Sequence, residues 1–421
     1  CAAGSPGCER PTAGAGAPAK APAAVKGPSP RRLRQYAAQG LRLKSYLRSP
    51  GDSRSQPRLP ASALLWALLM GQWLRRSSFA AIEALVRSPA RSALRVSRRF
   101  GDDALGYFTE RLNPTTTRLA AVQALRQAKR NKAFDHSRFI GLALDGTGAG
   151  RSRQAGCALC RPYRNPQQEV VGYHHQLAMI SVVGTGLVLP FDVEPYGPGD
   201  SEFSASRRLL RRAVQNLGPR FADYVVADGA YAPAPFLHDV GDLGLHALVR
   251  LKDNLPELLQ AARKRFGGQA PQQVFRSGED RIEIWDAGDF DPWDTLRWET
   301  VRVIRYRQHK PDGKVFEAFW LTDFPSRWVG SREIFSMAKS RWEIENQGFN
   351  DAKNRYGFEH ICHHQPNSLL VGWLLTCLAL VIERLYRIRY LRRGTHPVLT
   401  AIAFWQILWL SLSRPALDDT S

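Results

Sequence analysis

Tyr224-Val225-Val226-Ala227-Asp228-Gly229 is the stretch on which the fold turns. Its apolar run, centred on two valines, predicts a short buried strand closed by an Asp-Gly turn. An earlier stretch has the same form. Phe139-Ile140-Gly141-Leu142-Ala143-Leu144 runs into Asp145-Gly146-Thr147, again a strand and then a turn. Between the two, His175–Val183 and Leu187–Val193 read as strands joined at Gly184-Thr185-Gly186. Ser201–Leu217 reads as a helix with a basic face at Arg207, Arg208, Arg211 and Arg212. After Asp228, Pro233–Val240 predicts a helix and His246–Leu251 another buried strand, ending at Lys252.

The order is therefore β-β-β-α-β-α-β, which is the ribonuclease-H-like plan. In that plan the first and fourth strands are neighbours, so Asp145 and Asp228 end adjacent strands. Ligands of open α/β sheets collect at such strand ends, and both carboxylates can share one site. Residues 271–322 then alternate and are rich in Val, Ile, Trp and Phe, with strands expected at Gln273–Phe275, Ile282–Trp285, Thr300–Tyr306 and Val315–Leu321. Helix resumes near Ser331 and carries Arg341-Trp342-Glu343-Ile344-Glu345-Asn346.

Three carboxylates, two at strand ends and one on a later helix, can hold a pair of divalent metals for phosphodiester chemistry. Magnesium keeps much of its water and needs few protein ligands, so a sparse acidic set suffices. Glu343 and Glu345 lie about 200° apart around a helix, so only one can face the site. Arg341 and Glu345 share a face at i and i+4, and Asn346, Asn350 and Lys353 extend a polar stripe, which selects Glu345.

Composition agrees with a nucleic-acid partner. Lys and Arg number 59 against 38 Asp and Glu, a formal net charge of +21, and cations near phosphates gain by releasing condensed counterions. An Arg-rich composition is also what a GC-rich genome produces. Cys1, Cys8, Cys157, Cys160, Cys362 and Cys377 are too few and too scattered for a secreted disulfide framework. No charged-then-apolar leader is read at the amino end, and a first residue of Cys puts the natural start elsewhere. The apolar runs Leu369–Ile382 and Ala401–Leu412 fall short of the ~20 residues of a bilayer span and read as buried helices. A soluble, cytoplasmic, nucleoid-associated protein without a membrane partner is expected.

Residues 1–30 read as a disordered low-complexity tail. Residues 31–135 read as a helical DNA-binding region, with helices at Ala61–Leu74 and Phe79–Val86 and a start at Pro114. Its Arg87, Arg91, Arg95, Arg98 and Arg99 form either a solvated face or a DNA-end surface. The first part of the ribonuclease-H-like core spans 136–265, a β-rich insertion 266–325, and the glutamate helix with the carboxyl-terminal helices 326–421. The fold class is thus α/β, a mixed-sheet core with a β-rich insertion between helical flanks.

A second constellation stands apart from the acids. Cys157 and Cys160 form a Cys-x2-Cys pair, and His360 and His364 a His-x3-His pair. Together they are the ligand set of a tetrahedral structural zinc site. Cys362 and His363 offer substitutes, and free thiols with solvent-facing histidines are the other reading.

At Leu144-Asp145-Gly146-Thr147, Val226-Ala227-Asp228-Gly229 and Arg341-Trp342-Glu343-Ile344-Glu345-Asn346, followed by Gly348-Phe349-Asn350 and Lys353-Asn354, the chain resembles the IS4-type DDE transposases of bacterial insertion elements. The resemblance covers roughly residues 75–385. It implies a ribonuclease-H-like core interrupted by a β insertion, with Asp145, Asp228 and Glu345 as the catalytic triad holding Mg²⁺ or Mn²⁺. It implies cut-and-paste chemistry on double-stranded DNA, at terminal inverted repeats and at target DNA, by a homodimer, often through a hairpin. Arg341, Asn346 and Lys353 would position phosphate or the acids. Lys252, read from its place at a strand end, is either a solvated lysine or a phosphate contact. The family signature is Tyr-x2-Arg-x3-Glu-x6-Lys; here Ala338 holds the Tyr position and Lys353 arrives one residue late. A Trp of the insertion can stack on an extruded base in such enzymes, and Trp285, Trp293 and Trp298 are candidates, with packing as the alternative. Another ribonuclease-H-like nuclease, or a catalytically defective DNA-binding relative, are the competing readings.

Overall fold

The computed structural model describes residues 27–392, 397–398 and 400–413. The tail expected at 1–30 lies almost wholly outside the described residues.

One mixed sheet of ten strands organises the chain. Its strands are β1 (Gly141–Ser152), β2 (Arg161–Arg164), β3 (Val170–Val183), β4 (Leu189–Pro195), β5 (Tyr224–Ala227), β6 (His246–Leu251), β7 (Gln273–Ser277), β8 (Asp280–Phe290), β9 (Val301–His309) and β10 (Val315–Thr322). The spatial order is β2-β3-β1-β5-β6-β10-β9-β8-β7, with β4 also on β3. β1 pairs antiparallel with β3 and parallel with β5, and β5 parallel with β6. Reading β4-β3-β1-β5-β6 across the sheet gives the ribonuclease-H-like arrangement expected from the element order. β5 is buried at every position, as a parallel strand covered on both faces must be, which is why it reads as a continuous apolar run.

The residues of the β-rich insertion extend this same sheet. β10 joins β6 antiparallel, and β9, β8 and β7 follow as a meander. All four strands were legible because alternation with aromatic and β-branched residues marks half-buried strands.

The sequence reading departs from the structure at β1 and missed β2. Asp145-Gly146-Thr147 is not a turn, because β1 continues to Ser152 in antiparallel register with β3, out to the Ser152–Tyr173 pair. Asp145 thus lies within a strand, although it is the point where pairing with β5 runs out. β2 was unread, since Arg161-Pro162-Tyr163-Arg164, with three of its four residues exposed, carries no alternating apolar signal.

Helix Glu202–Leu217 packs on β1, β3 and β4. The arginines of its expected basic face are all paired with acids. Arg207 and Arg211 pair with Asp239 at 2.5 Å each, Arg208 with Asp200 at 2.5 Å, and Arg212 with Asp192 at 3.0 Å and Glu194 at 2.6 Å. Asp192 is buried and also holds Arg118 at 2.9 Å, so one carboxylate ties helix Pro114–Arg130 and helix Glu202–Leu217 to β4.

Helix Pro366–Tyr386 runs 21 residues, longer than its apolar run foretold, and with its continuation to Leu391 is long and apolar enough by composition to cross a membrane. In this fold 89% of its most apolar window is buried. It packs against β4 and against helices Pro114–Arg130, Asp102–Arg111 and Ala61–Trp73. The amino-terminal helices therefore wrap the carboxyl-terminal ones: Trp73 Nε1 donates to Ala379 O at 2.9 Å, and Trp405 and Trp409 both donate to Leu74 O.

Candidate active site

Parallel register places two acids side by side. Ala143 stands opposite Val226, and Asp145 and Asp228 each follow two residues on, just past the paired part of β1 and β5, with the Arg341 charge acting on both. The third acid arrives from the helix that begins at Arg341. Arg341 is buried, and its guanidinium pairs through Nη2 with Glu345 Oε1 at 2.7 Å while Nη1 lies 3.6 Å from Asp145 Oδ2. One cation thus spans the strand acid and the helix acid. Glu343 points elsewhere: its Oε2 accepts the Gly184 N–H at 3.2 Å, and burial raises its pKa.

The Glu345 helix is not a plain α-helix. Arg341–Glu343 is α-helical, Ile344–Phe349 is a π-turn segment, and Asn350–Tyr356 is α-helical again. The expected polar stripe at α-helical spacing is therefore broken, leaving Asn346 exposed. Such wide turns recur at functional sites because they re-aim side chains within a helix.

Charge in this pocket is crowded. Burial is the main cause pushing the Asp145 carboxyl up to about 7, and Glu345 and Glu202 add to it against the pull of Arg341. Burial also acts on Asp228, but the Lys252 ammonium, 2.8 Å from its Oδ2, together with the Gly229 N–H, holds it below the usual carboxylate range. The site holds hard oxygen donors with too little fixed positive charge for them, a donor set suited to a divalent cation such as Mg²⁺.

Glu202 is the acid that sequence reasoning missed. It sits in the first turn after the N-cap Ser201, where an acid is a generic helix-start feature with no chemical signal. Side chains alternate across a strand, so Gly146 faces away from Arg341, and the Glu202 carboxylate fills that space. A Cβ on Gly146 would lie 2.0 Å from Glu202 Oε2. The glycine is a clearance residue rather than a turn residue. Tyr231 donates to Glu202 Oε1 at 2.8 Å and Tyr196 to Oε2 at 3.4 Å, so the carboxylate cannot move without losing those bonds. Gly146→Ala is expected to destabilise the fold by about 1–3 kcal/mol. Adding Glu202→Ala should recover part of that loss in a thermal-unfolding double-mutant cycle; additive losses would mean the two do not touch.

Other expected contact residues sort differently. Trp285 is buried, donates to Gln269 O at 2.8 Å and lies under Arg305 at 4.4 Å. Packing against the insertion's own residues explains it, and it offers no free face to a base. Trp293 and Trp298 are partly buried against the core. Lys353 pairs with Glu359 at 3.1 Å. It also lines a groove of about 870 Å³ along the far half of β1, with Gly148, Arg151, Arg153, Tyr163 and His174.

The Cys-His expectation is half corrected. Cys157, Cys160 and His364 come together, but their fourth member is His175 on β3, and the donor atoms of these four lie within 4.8 Å of one another. His360 is exposed and outside the cluster. An i, i+4 spacing brings two side chains together only inside a helix, and residues 357–365 are not helical. The proposed substitutes are also committed elsewhere. The Cys362 thiol donates to Ser77 O at 2.9 Å, and His363 lies between Ser368 and Glu110.

Fold and site together define a ribonuclease-H-like core with carboxylates clustered where its two central strands cease to pair. The sequence profile of the family described as Transposase DDE domain matches residues 138–382, more than half of the chain, and the chain belongs to that family. No curated protein matches it. Among solved structures it is similar to a piggyBac transposase synaptic complex with hairpin DNA, at 12% identity and a TM-score of 0.42 over 91% of this chain and 80% of that one.

Proposed function

We propose that the protein is a cut-and-paste DNA transposase of the IS4 type, with Asp145, Asp228 and Glu345 as its catalytic acids. The observation that carries this reading is the convergence of Asp145 and Glu345 on the Arg341 guanidinium, with Asp228 directly following the parallel strand that pairs with β1. These three carboxylates would hold Mg²⁺ or Mn²⁺. Bound there, such ions lower the pKa of an attacking water or 3′ hydroxyl and neutralise the leaving 3′ oxygen.

The chain's own residues supply position and charge. Arg341 orients Asp145 and Glu345 against each other in a buried, charge-assisted contact. Lys252 keeps Asp228 ionised and lies where a phosphate would approach, and Asn346 is exposed beside Glu345. The late arrival of Lys353 has a physical counterpart in the π-turn segment. Seven residues make about two α-helical turns, and a wider turn takes one residue more. That supports the return of Lys353 to the Glu345 face, so that a displaced signature is compensated by helix geometry.

DNA is read as lying along the groove lined by Arg151, Arg153 and Lys353, with the exposed Arg98 and Arg99 in the loop before helix Asp102–Arg111 as a further contact surface. Arg151→Ala, Arg153→Ala and Lys353→Ala should each weaken DNA binding about equally across sequences, and each should lower the slope of log affinity against log salt by about 1. Fluorescence anisotropy over a salt series measures this; unchanged slopes would move the DNA path elsewhere. Two ends must be held for cut-and-paste chemistry, so the active form is proposed to be a dimer on DNA.

The functional test is strand transfer. Purified protein, labelled DNA carrying the repeats that flank its gene, a target plasmid and Mg²⁺ should yield ends cut at the repeats and joined to the plasmid. Cutting without joining would indicate a hydrolytic nuclease, and binding without cutting a defective relative.

A further inference from the structure

The four residues Cys157, Cys160, His175 and His364 have no part in the carboxylate site, yet they form a closed cluster. Cys157 Sγ and Cys160 Sγ are 3.7 Å apart, and His175 Nε2 lies 3.3 Å from the first and 3.5 Å from the second. Ligands at about 2.3 Å (S) and 2.0 Å (N) from a tetrahedral zinc ion stand about 3.8 Å apart for S–S and about 3.5 Å for S–N. The three edges among Cys157, Cys160 and His175 match those lengths, and the His364 donor lies within 4.8 Å of the others. A disulfide is a different geometry, with sulfurs about 2.05 Å apart.

Surroundings match as well. Cys160 and His175 are buried, and His364 Nδ1 is buried with no hydrogen-bond partner. The Gly156 N–H is directed at Cys160 Sγ at 3.4 Å, the backbone support that a metal-bound thiolate receives. Gly156 must lack a side chain for this closure, since a Cβ there would lie 2.3 Å from His364 Nδ1. The Cys160 N–H donates to Cys157 O at 3.1 Å, folding the Cys-x2-Cys pair into one turn that presents both sulfurs.

We propose that Cys157, Cys160, His175 and His364 bind one structural Zn²⁺. Binding releases the two thiol protons to solvent, and two thiolates with two neutral imidazoles leave the complex without net charge, as a partly buried site requires. Thiolate and imidazole donors in a tetrahedron select zinc over the hard cations that carboxylates hold. The ion would staple three separate segments. His175 faces Ala149 across the β1–β3 ladder, the cysteines lie between β1 and β2, and His364 directly precedes helix Pro366–Tyr386. The strand carrying Asp145 is thereby fixed to the chain that leaves the Glu345 helix. The zinc site stands whether or not the acids cut DNA.

Elemental analysis of the purified full chain, after dialysis against metal-free buffer, tests this. About one zinc per chain is expected, and the cobalt-substituted protein should show the visible bands of a tetrahedral ion with thiolate charge transfer. Cys160→Ser and His175→Asn should each lose the metal, while His360→Asn should keep it. Because the first two variants can misfold, a mercurial titration of wild type provides a second reading: modification of thiols should release the zinc stoichiometrically. A wild-type chain without zinc, zinc retained when Cys160→Ser and His175→Asn are combined, or zinc lost in His360→Asn would each overturn the site.

Discussion

If the proposed function holds, Asp145→Ala and Asp228→Ala are each expected to lower DNA cleavage by on the order of 10³ or more, because each would remove a ligand from a metal worth several kcal/mol of transition-state stabilisation. The fold should survive both changes. Asp145 sits where pairing of β1 with β5 has ended, and its antiparallel pairing with Met179 uses the backbone only. Burial already pushes the Asp145 carboxyl up to about 7, so its loss relieves a crowded site and should not lower the melting temperature. Circular dichroism melts beside a cleavage time course separate these effects. A variant that melts early and cuts poorly would assign Asp145 to structure instead of chemistry.

Arg341→Ala should combine both kinds of loss. Arg341 carries Glu345 at 2.7 Å and approaches Asp145 at 3.6 Å from a buried position. Removing a buried partner leaves carboxylates without compensation, a cost of about 3 kcal/mol here, at the low end because Glu345 is partly exposed and screened. Cleavage should fall by about 10², through loss of the contact that sets the acids against each other. Mg²⁺ should raise the melting temperature of Arg341→Ala more than that of wild type, since a divalent ion replaces the missing positive charge. Equal shifts would mean that Arg341 does not neutralise the metal-binding acids. Arg341→Lys is not expected to rescue, because a point charge cannot span both carboxylates as a guanidinium does.

The sheet was legible where burial writes a pattern. Tyr224–Ala227 and His246–Leu251 were readable because central parallel strands are apolar on both faces, and the late strands because half-buried strands alternate. β2 carries neither pattern. Asp145-Gly146 misled for a physical reason: Asp-Gly suits a turn, but here Gly146 makes room for a carboxylate from the other face. The choice of Glu345 over Glu343 rested on helical angle; Glu345 shares Arg341 with Asp145, while Glu343 accepts from the Gly184 N–H. Glu202 was invisible because its partners Tyr196 and Tyr231 come from other elements. His175 was hidden for the same reason. Its neighbours in the sheet are set by the β1–β3 register, whereas spacing along the chain favoured His360.

The central claim is that cleavage runs on a metal held by Asp145, Asp228 and Glu345. It is tested most directly by comparing wild type, Glu343→Gln and Glu345→Gln on labelled DNA bearing the flanking repeats, with Mg²⁺ and with chelator. The account predicts cleavage at the repeat ends by wild type and by Glu343→Gln in Mg²⁺, none in chelator, and none by Glu345→Gln in either. Cleavage that survives Glu345→Gln, or that proceeds in chelator, would contradict it.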